Sequence, residues 1–191
     1  MDAGAESGRE AGTAKHLGVG CGDGRLFHLT PHTGRRVGVD FSPRSLDYAR
    51  AFNPQAHFCT HLEDLGDERF EFVSAVEVLE HIPDDGITAF VQSLAERLVP
   101  GGHLLLSVPS TVQSVHKKHY RHYDEALLRR QVEGACSGLD CVHVDHVYRG
   151  SRLVDAAMRW TMNRFWVVEV APLRRHLWRH VWHQLRRARD R

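Results

Sequence analysis

Gly18-Val19-Gly20-Cys21-Gly22-Asp23-Gly24 is the stretch whose reading decides the fold. Lys15–Gly20 reads as a short buried strand that opens into this loop. Glycine there lets a ligand approach the backbone where a Cβ would clash. A helix that follows would offer free N–H groups and a positive dipole end to a carboxylate or phosphate. By itself the pattern is equally that of a glycine-rich turn. Asp40 adds to it, ending the next strand twenty residues after Gly20. A carboxylate there can accept hydrogen bonds from both hydroxyls of a ribose. Alone it would be a surface acid or a helix cap; paired with the loop, it points to a nucleoside site. The spacing Gly20-x-Gly22-x-Gly24 departs from the G-x-G-x-x-G of dinucleotide sites.

Working outward, strands and helices alternate. Arg25–Thr30 is expected to be a short helix that stops near Pro31, and Arg36–Asp40 a second strand. Ser42 is a good N-cap with Pro43 at the first helical position, so 43–52 should be helical. Strands are expected at Ala56–Cys59 and Phe70–Val76. A helix is expected at Pro83–Leu98, ended by Pro100-Gly101-Gly102, and a fifth strand at His103–Val108. Asp124–Glu133 reads as a helix and Cys141–Tyr148 as a sixth strand. Beyond Ser151 helix dominates, although Phe165–Val170 could be a strand. The implied class is α/β, a Rossmann-like, mostly parallel sheet with helices on both faces, followed by a helical C-terminal extension. The expected division is a poorly ordered N-terminus (1–14), a ligand-binding domain (15–150) and a basic helical extension (151–191).

Composition narrows the classes. The chain has 191 residues, 42% hydrophobic and 26% charged, an ordinary globular balance. No apolar run reaches the roughly 18 residues of a membrane span, and Met1–Thr13 has no signal-like apolar core, which predicts a soluble cytoplasmic protein. Cys21, Cys59, Cys136 and Cys141 are scattered, as free thiols in a reducing compartment would be. The net charge of +1 hides an acidic body, with 16 basic and 22 acidic residues to Met158, and a basic tail, with 9 basic and 2 acidic. No nucleic-acid motif accompanies that tail, and nucleic acid is not an expected partner.

The order of motifs resembles that of class I S-adenosylmethionine-dependent methyltransferases, of the small-molecule kind. The glycine loop resembles the family's first motif and "GVDFSPRSLDYAR" its ribose motif. "HLEDL" resembles the adenine-side motif, "FEFVSAVEVLEHIPD" the fourth strand and its loop, and "RLVPGGHLLLSVPS" the turn into the fifth strand. "HKKHYRHYDEALL" extends the likeness weakly. The resemblance covers about Lys15–Ser110. It implies S-adenosyl-L-methionine as cofactor, with Gly18, Gly20 and Gly22 lining its methionine part, Asp40 holding the ribose, and Phe41 packing on the adenine. His61, Leu62 and Glu63 would sit near the adenine edge, and Glu77 beside the methionine amino group or sulfonium. Two positions depart from the family pattern: Gly18 and His61 stand where an acid is usual.

Methyl transfer from a sulfonium asks for alignment and, for some acceptors, a base. Candidate bases after the fourth and fifth strands are His81, His119 and His122, with Tyr120 and Tyr123; the competing reading of that run is a solvated loop. The histidine trios 116/119/122 and 176/180/183 are not expected to bind metal, since no carboxylate or thiol completes either set. Residues 174–191 pattern as a helix with Leu177, Trp178, Val181, Trp182 and Leu185 on one side and basic residues opposite. Docking on the domain, peripheral membrane or lipid-substrate contact, and a homodimer are its open uses. The expected activity is methylation of a small-molecule acceptor at oxygen or nitrogen. Its rivals are a cofactor-binding module without turnover and a nicotinamide or sugar-nucleotide enzyme.

Overall fold

A computed structural model describes residues 14–30, 34–111 and 118–145 of the chain. Five strands, β1 (His16–Val19), β2 (Arg36–Val39), β3 (His57–Cys59), β4 (Phe70–Val76) and β5 (Leu98–Ser107), form one sheet in the order β3-β2-β1-β4-β5. Every pairing is parallel. The chain leaves β1 toward β2 on one side and returns to β4 on the other. The gap above the ends of β1 and β4 is therefore the switch point, where open α/β sheets bind ligands. Four α-helices, α1 (Arg25–Leu29), α2 (Pro43–Phe52), α3 (Ile87–Glu96) and α4 (Glu125–Ala135), and two short 3-10 turns, Leu62–Leu65 and Leu79–His81, complete the described elements.

The alternation of β1 places α1 and α2 on one face of the sheet and α3 on the other. Leu17 and Val19 join Val37, Val39, Val73 and Leu94 of α3 in one cluster. On the opposite face Gly18 pairs with Gly38, which leaves a floor without side chains for two rings. A Cβ at Gly18 would stand 2.9 Å from the Phe27 ring, and one at Gly38 2.6 Å from the Phe58 ring. A third cluster joins α3 to α4 through Ile87, Val91, Val132 and the buried Tyr123. Burying a leucine or valine contributes about 1.5–3 kcal/mol. The partly exposed ion pairs of Glu68 with Lys15 and Arg35 contribute about 0–1 kcal/mol each, so apolar packing holds the sheet.

Helix α2 starts where Ser42 and Pro43 predict, with the Ser42 hydroxyl accepting the Ser45 N–H at 3.3 Å. Three expectations need correction. Helix α3 begins at Ile87, four residues later than expected, because Pro83–Gly86 forms a turn closed by the Gly86 N–H on the Pro83 carbonyl. Pro100-Gly101-Gly102 lies within β5, whose Leu98 pairs with Phe70 and whose His103 already pairs with Phe72. The extra residues bulge outward at Gly101, whose φ is +74°. Residues 141–145 are not a strand: the Cys141 carbonyl and N–H are taken by Arg129 and Glu133 of α4.

The sheet and all four helices belong to the first of two compact units, Met1–Val142. The expected helices and strand beyond Ser151, including residues 174–191, lie outside the described residues. No helix among the described residues is long and apolar enough to cross a membrane.

Candidate functional site

The glycine loop leaves β1 at the switch point. Gly20 has φ +65° and a Cβ there would lie 2.4 Å from a Val78 methyl, so the turn after β4 packs directly on the loop. Gly22 has φ +53° and nothing within 4 Å of where its Cβ would be. Its N–H points to Asp40 Oδ2 at 2.8 Å. Asp40 Oδ1 accepts the Ser42 N–H at 2.9 Å, so one carboxylate ties the loop to the start of α2. Asp40 is 8% exposed, and a carboxylate offers two acceptor sites per oxygen. Phe41 beside it is 89% exposed, an apolar ring facing solvent. Cys21, between them, donates its N–H to the Val39 carbonyl. Burial, reinforced by the Asp40 carboxylate, pushes its thiol up to about 12, so it stays protonated and is no nucleophile at neutral pH.

Gly18 sits within β1, and the ring of Phe27 occupies the place where a side chain would go. A small hollow of about 150 Å³ touches Gly18, Gly20, Arg25, Ser74 and Val76. A larger, open one of about 400 Å³, bounded by Phe27, Arg36, Phe52 and Gln55, contains none of the expected site residues.

The adenine-side motif forms a helical turn, Leu62–Leu65. His61 and Glu63 are exposed, and the His61 N–H donates to Asp64 at 3.2 Å. Leu62 packs against the central core, while its carbonyl accepts Arg97. Glu77, directly after β4, has φ +55° and is the one described non-glycine residue with positive φ. Its N–H donates to the Ser107 carbonyl at 2.9 Å, and its Oε1 accepts the Ser107 hydroxyl at 2.6 Å.

The three expected bases come together, His81 from a segment distant in sequence from His119 and His122. The His81 and His119 rings meet edge-on at 4.8 Å, and His119 Nδ1 lies 3.0 Å from His122 Nε2. His81 Nδ1 lies 3.1 Å from the Lys118 carbonyl. The run is docked at some residues and solvated at others: the Tyr120 N–H donates to the Glu80 carbonyl and Arg121 pairs with Asp84 at 2.7 Å, while the Tyr120 side chain is exposed. Tyr123 leaves the list of bases. It is 3% exposed, its hydroxyl is engaged by Arg121 and the Leu79 carbonyl, and burial raises its pKa. His116 and the trio 176/180/183 lie outside the described residues.

Glu80 was not singled out by its sequence position. It is fully buried, and neither carboxylate oxygen has a hydrogen-bond partner. His81 Nε2 is 3.9 Å away. Burial, with Glu77 nearby, holds its carboxyl above the usual range. One donor atom each from Glu80, His81 and His119 lie within 4.8 Å of one another, close enough to hold a divalent cation, so a carboxylate does reach this histidine cluster. Val78, Glu80 and Ser107 are the residues that sequence reasoning missed. Their roles come from contacts across elements, which no local pattern encodes.

A family model described as a methyltransferase domain matches residues 5–184. Among curated relatives, ubiquinone biosynthesis O-methyltransferases of Idiomarina loihiensis and Nitrobacter winogradskyi are 36% and 37% identical over 102 and 98 residues. These matches cover 49% and 48% of this chain, and 41% and 37% of the relatives. The chain thus spans less than half the length of the curated relatives it matches. Among solved structures, a TehB-like S-adenosylmethionine-dependent methyltransferase of Corynebacterium glutamicum has the same fold with a TM-score of 0.53, at 18% identity over 65% of each chain. The magnesium protoporphyrin IX methyltransferase of Synechocystis, with bound S-adenosylhomocysteine, gives 0.54 at 19% identity, over 66% of this chain and 65% of that one.

Proposed function

The chain belongs to the methyltransferase-domain family, and from that membership we propose that it binds S-adenosylmethionine and methylates a small molecule at oxygen or nitrogen. The observation that carries this reading is the Gly22–Asp40 bond at 2.8 Å. It closes the glycine loop onto the end of β2 and leaves open space above Gly22, a cradle that a nucleoside with hydroxyl donors fits. Solved relatives of this fold are named with S-adenosylhomocysteine bound, and the curated relatives are named O-methyltransferases, which favours oxygen as the acceptor atom.

When bound, the cofactor supplies an electrophilic methyl group on a sulfonium that is its own leaving group. Asp40 accepts the ribose hydroxyls on its remaining lone pairs, while the exposed Phe41 ring covers one face of the adenine. His61, Leu62 and Glu63 border the adenine edge. Gly20 and Gly22 border the methionine part, with Gly18 behind them in β1. Glu77 presents its carboxylate to the amino group. His81 lies in the segment after β4, and His119 and His122 in the segment after β5; one of them would take the acceptor's proton while the others hold its imidazole in place.

Isothermal titration with S-adenosylhomocysteine, followed by mass spectrometry of hydroxylated and aminated small molecules incubated with S-adenosylmethionine as the methyl donor, tests the reading. Binding, with a product heavier by one CH2 unit, is expected. Binding without any product across both acceptor classes would favour the module without turnover, for which Phe27 in the place of the family's acid is the one structural argument.

A further inference from the structure

Resting on that cofactor reading, we propose that Ser107 is a positioning residue for ligand recognition: it holds the Glu77 carboxylate in place for a cationic amino group. Three observations converge. Glu77 adopts φ +55°, a conformation that disfavours any residue with a Cβ and that persists only where surrounding contacts enforce it. Ser107, at the end of β5, supplies those contacts twice, accepting the Glu77 N–H at 2.9 Å and donating its hydroxyl to Oε1 at 2.6 Å. Glu77 is exposed, so this charge-assisted bond shields nothing from water and is a weak source of stability. A strained residue held once at its backbone and once at its carboxylate, for little return in stability, makes sense as a ligand contact.

Its place supports the same conclusion. The next residue, Val78, packs on Gly20, so the turn that carries Glu77 borders the glycine loop. The acid expected in β1 is absent, because Gly18 stands there and Phe27 fills its space. The neighbouring Glu80 is fully buried. Among residues 77–80 and those of β1, Glu77 is the carboxylate that remains accessible to an ammonium group. Its second oxygen and the spare lone pairs of Oε1 can accept that group's protons while Ser107 fixes the rotamer.

Titration of the Ser107→Ala chain with two ligands tests this. S-adenosylhomocysteine carries the amino-acid moiety; methylthioadenosine keeps the adenosine and sulfur but lacks it. The dissociation constant for S-adenosylhomocysteine should rise about 5- to 20-fold, while that for methylthioadenosine stays within about twofold. Ser107→Thr keeps the hydroxyl and should restore the preference. Glu77→Gly, which relieves the strained backbone, should melt no lower than wild type yet lose the preference for S-adenosylhomocysteine. Equal weakening of both ligands in Ser107→Ala would make the serine merely structural, and unchanged affinity for both would remove its role; either overturns the proposal. A wild-type chain that binds neither ligand overturns the cofactor reading itself and this inference with it.

Discussion

Both oxygens of Asp40 already accept backbone N–H groups, from Gly22 and Ser42, so the side chain that would grip the ribose also builds the loop. Replacing one oxygen by an amide turns an acceptor into a donor that faces a donor. Asp40→Asn should therefore weaken S-adenosylhomocysteine by roughly tenfold or more and also lower the melting temperature, since hydrogen bonds to a charged group contribute about 1.5–3 kcal/mol. An affinity within twofold of wild type, measured by titration calorimetry, would remove Asp40 from the site. Glu80 presents the opposite case, a buried carboxylate whose oxygens have no hydrogen-bond partner. Burial raises its pKa in the folded chain above the ordinary 4.5. The sign follows: the protonated form fits the fold, and its stabilising effect is complete below the unfolded pKa and lost as pH rises through the folded one. Glu80→Gln removes that loss. Its melting temperature should match wild type near pH 4 and exceed it increasingly toward pH 7. A variant that is less stable than wild type at pH 7 would mean that a partner compensates the charge, a divalent cation held with His81 and His119 being the first to check by chelation.

At the scale of elements, caps and bulges decide the boundaries. Helix α4 begins where the Asp124 carboxylate accepts the Leu127 N–H at 2.7 Å. Asp124→Ala should cost about 1 kcal/mol, read from denaturant unfolding, with cofactor affinity unchanged because α4 carries no candidate site residue. A loss of affinity would tie α4 to the site after all. Helix α2 and strand β4 were legible residue for residue, because Ser42-Pro43 is a strong start signal and Phe70–Val76 is a β-rich run between polar turns. Pro100-Gly101-Gly102 misled because those residues punctuate chains locally, while pairing with β4 on both sides of the bulge keeps them inside β5. Cys141–Asp145 alternates like a strand, yet α4 side chains take the backbone groups of Cys141 that a sheet would need. Within the site, the glycine loop and Asp40 are a spacing signal and could be read directly. The grip of Ser107 on Glu77 joins residues 30 apart in sequence, and His81 meets His119 across 38, distances at which periodicity carries no information.

The candidate cofactor residues lie on four segments of the molecule: β1 with the loop after it, the end of β2, the turn that follows β3, and the turn after β4. The Gly22–Asp40 bond and the packing of Val78 on Gly20 join the first, second and fourth. A ligand that bridges these segments binds the folded chain and not the unfolded one, so it must stabilise by mass action. At a free concentration 100 times the dissociation constant the gain is about 2.7 kcal/mol. For a unit the size of Met1–Val142, that corresponds to a rise in melting temperature of roughly 5–10 °C. Every one of these residues belongs to that first unit. S-adenosylhomocysteine should produce the full shift in wild type and, for a tenfold loss of affinity, only about half of it in Asp40→Asn at the same concentration. A ligand-induced shift of equal size in both chains would place the bound nucleoside elsewhere than at the end of β2.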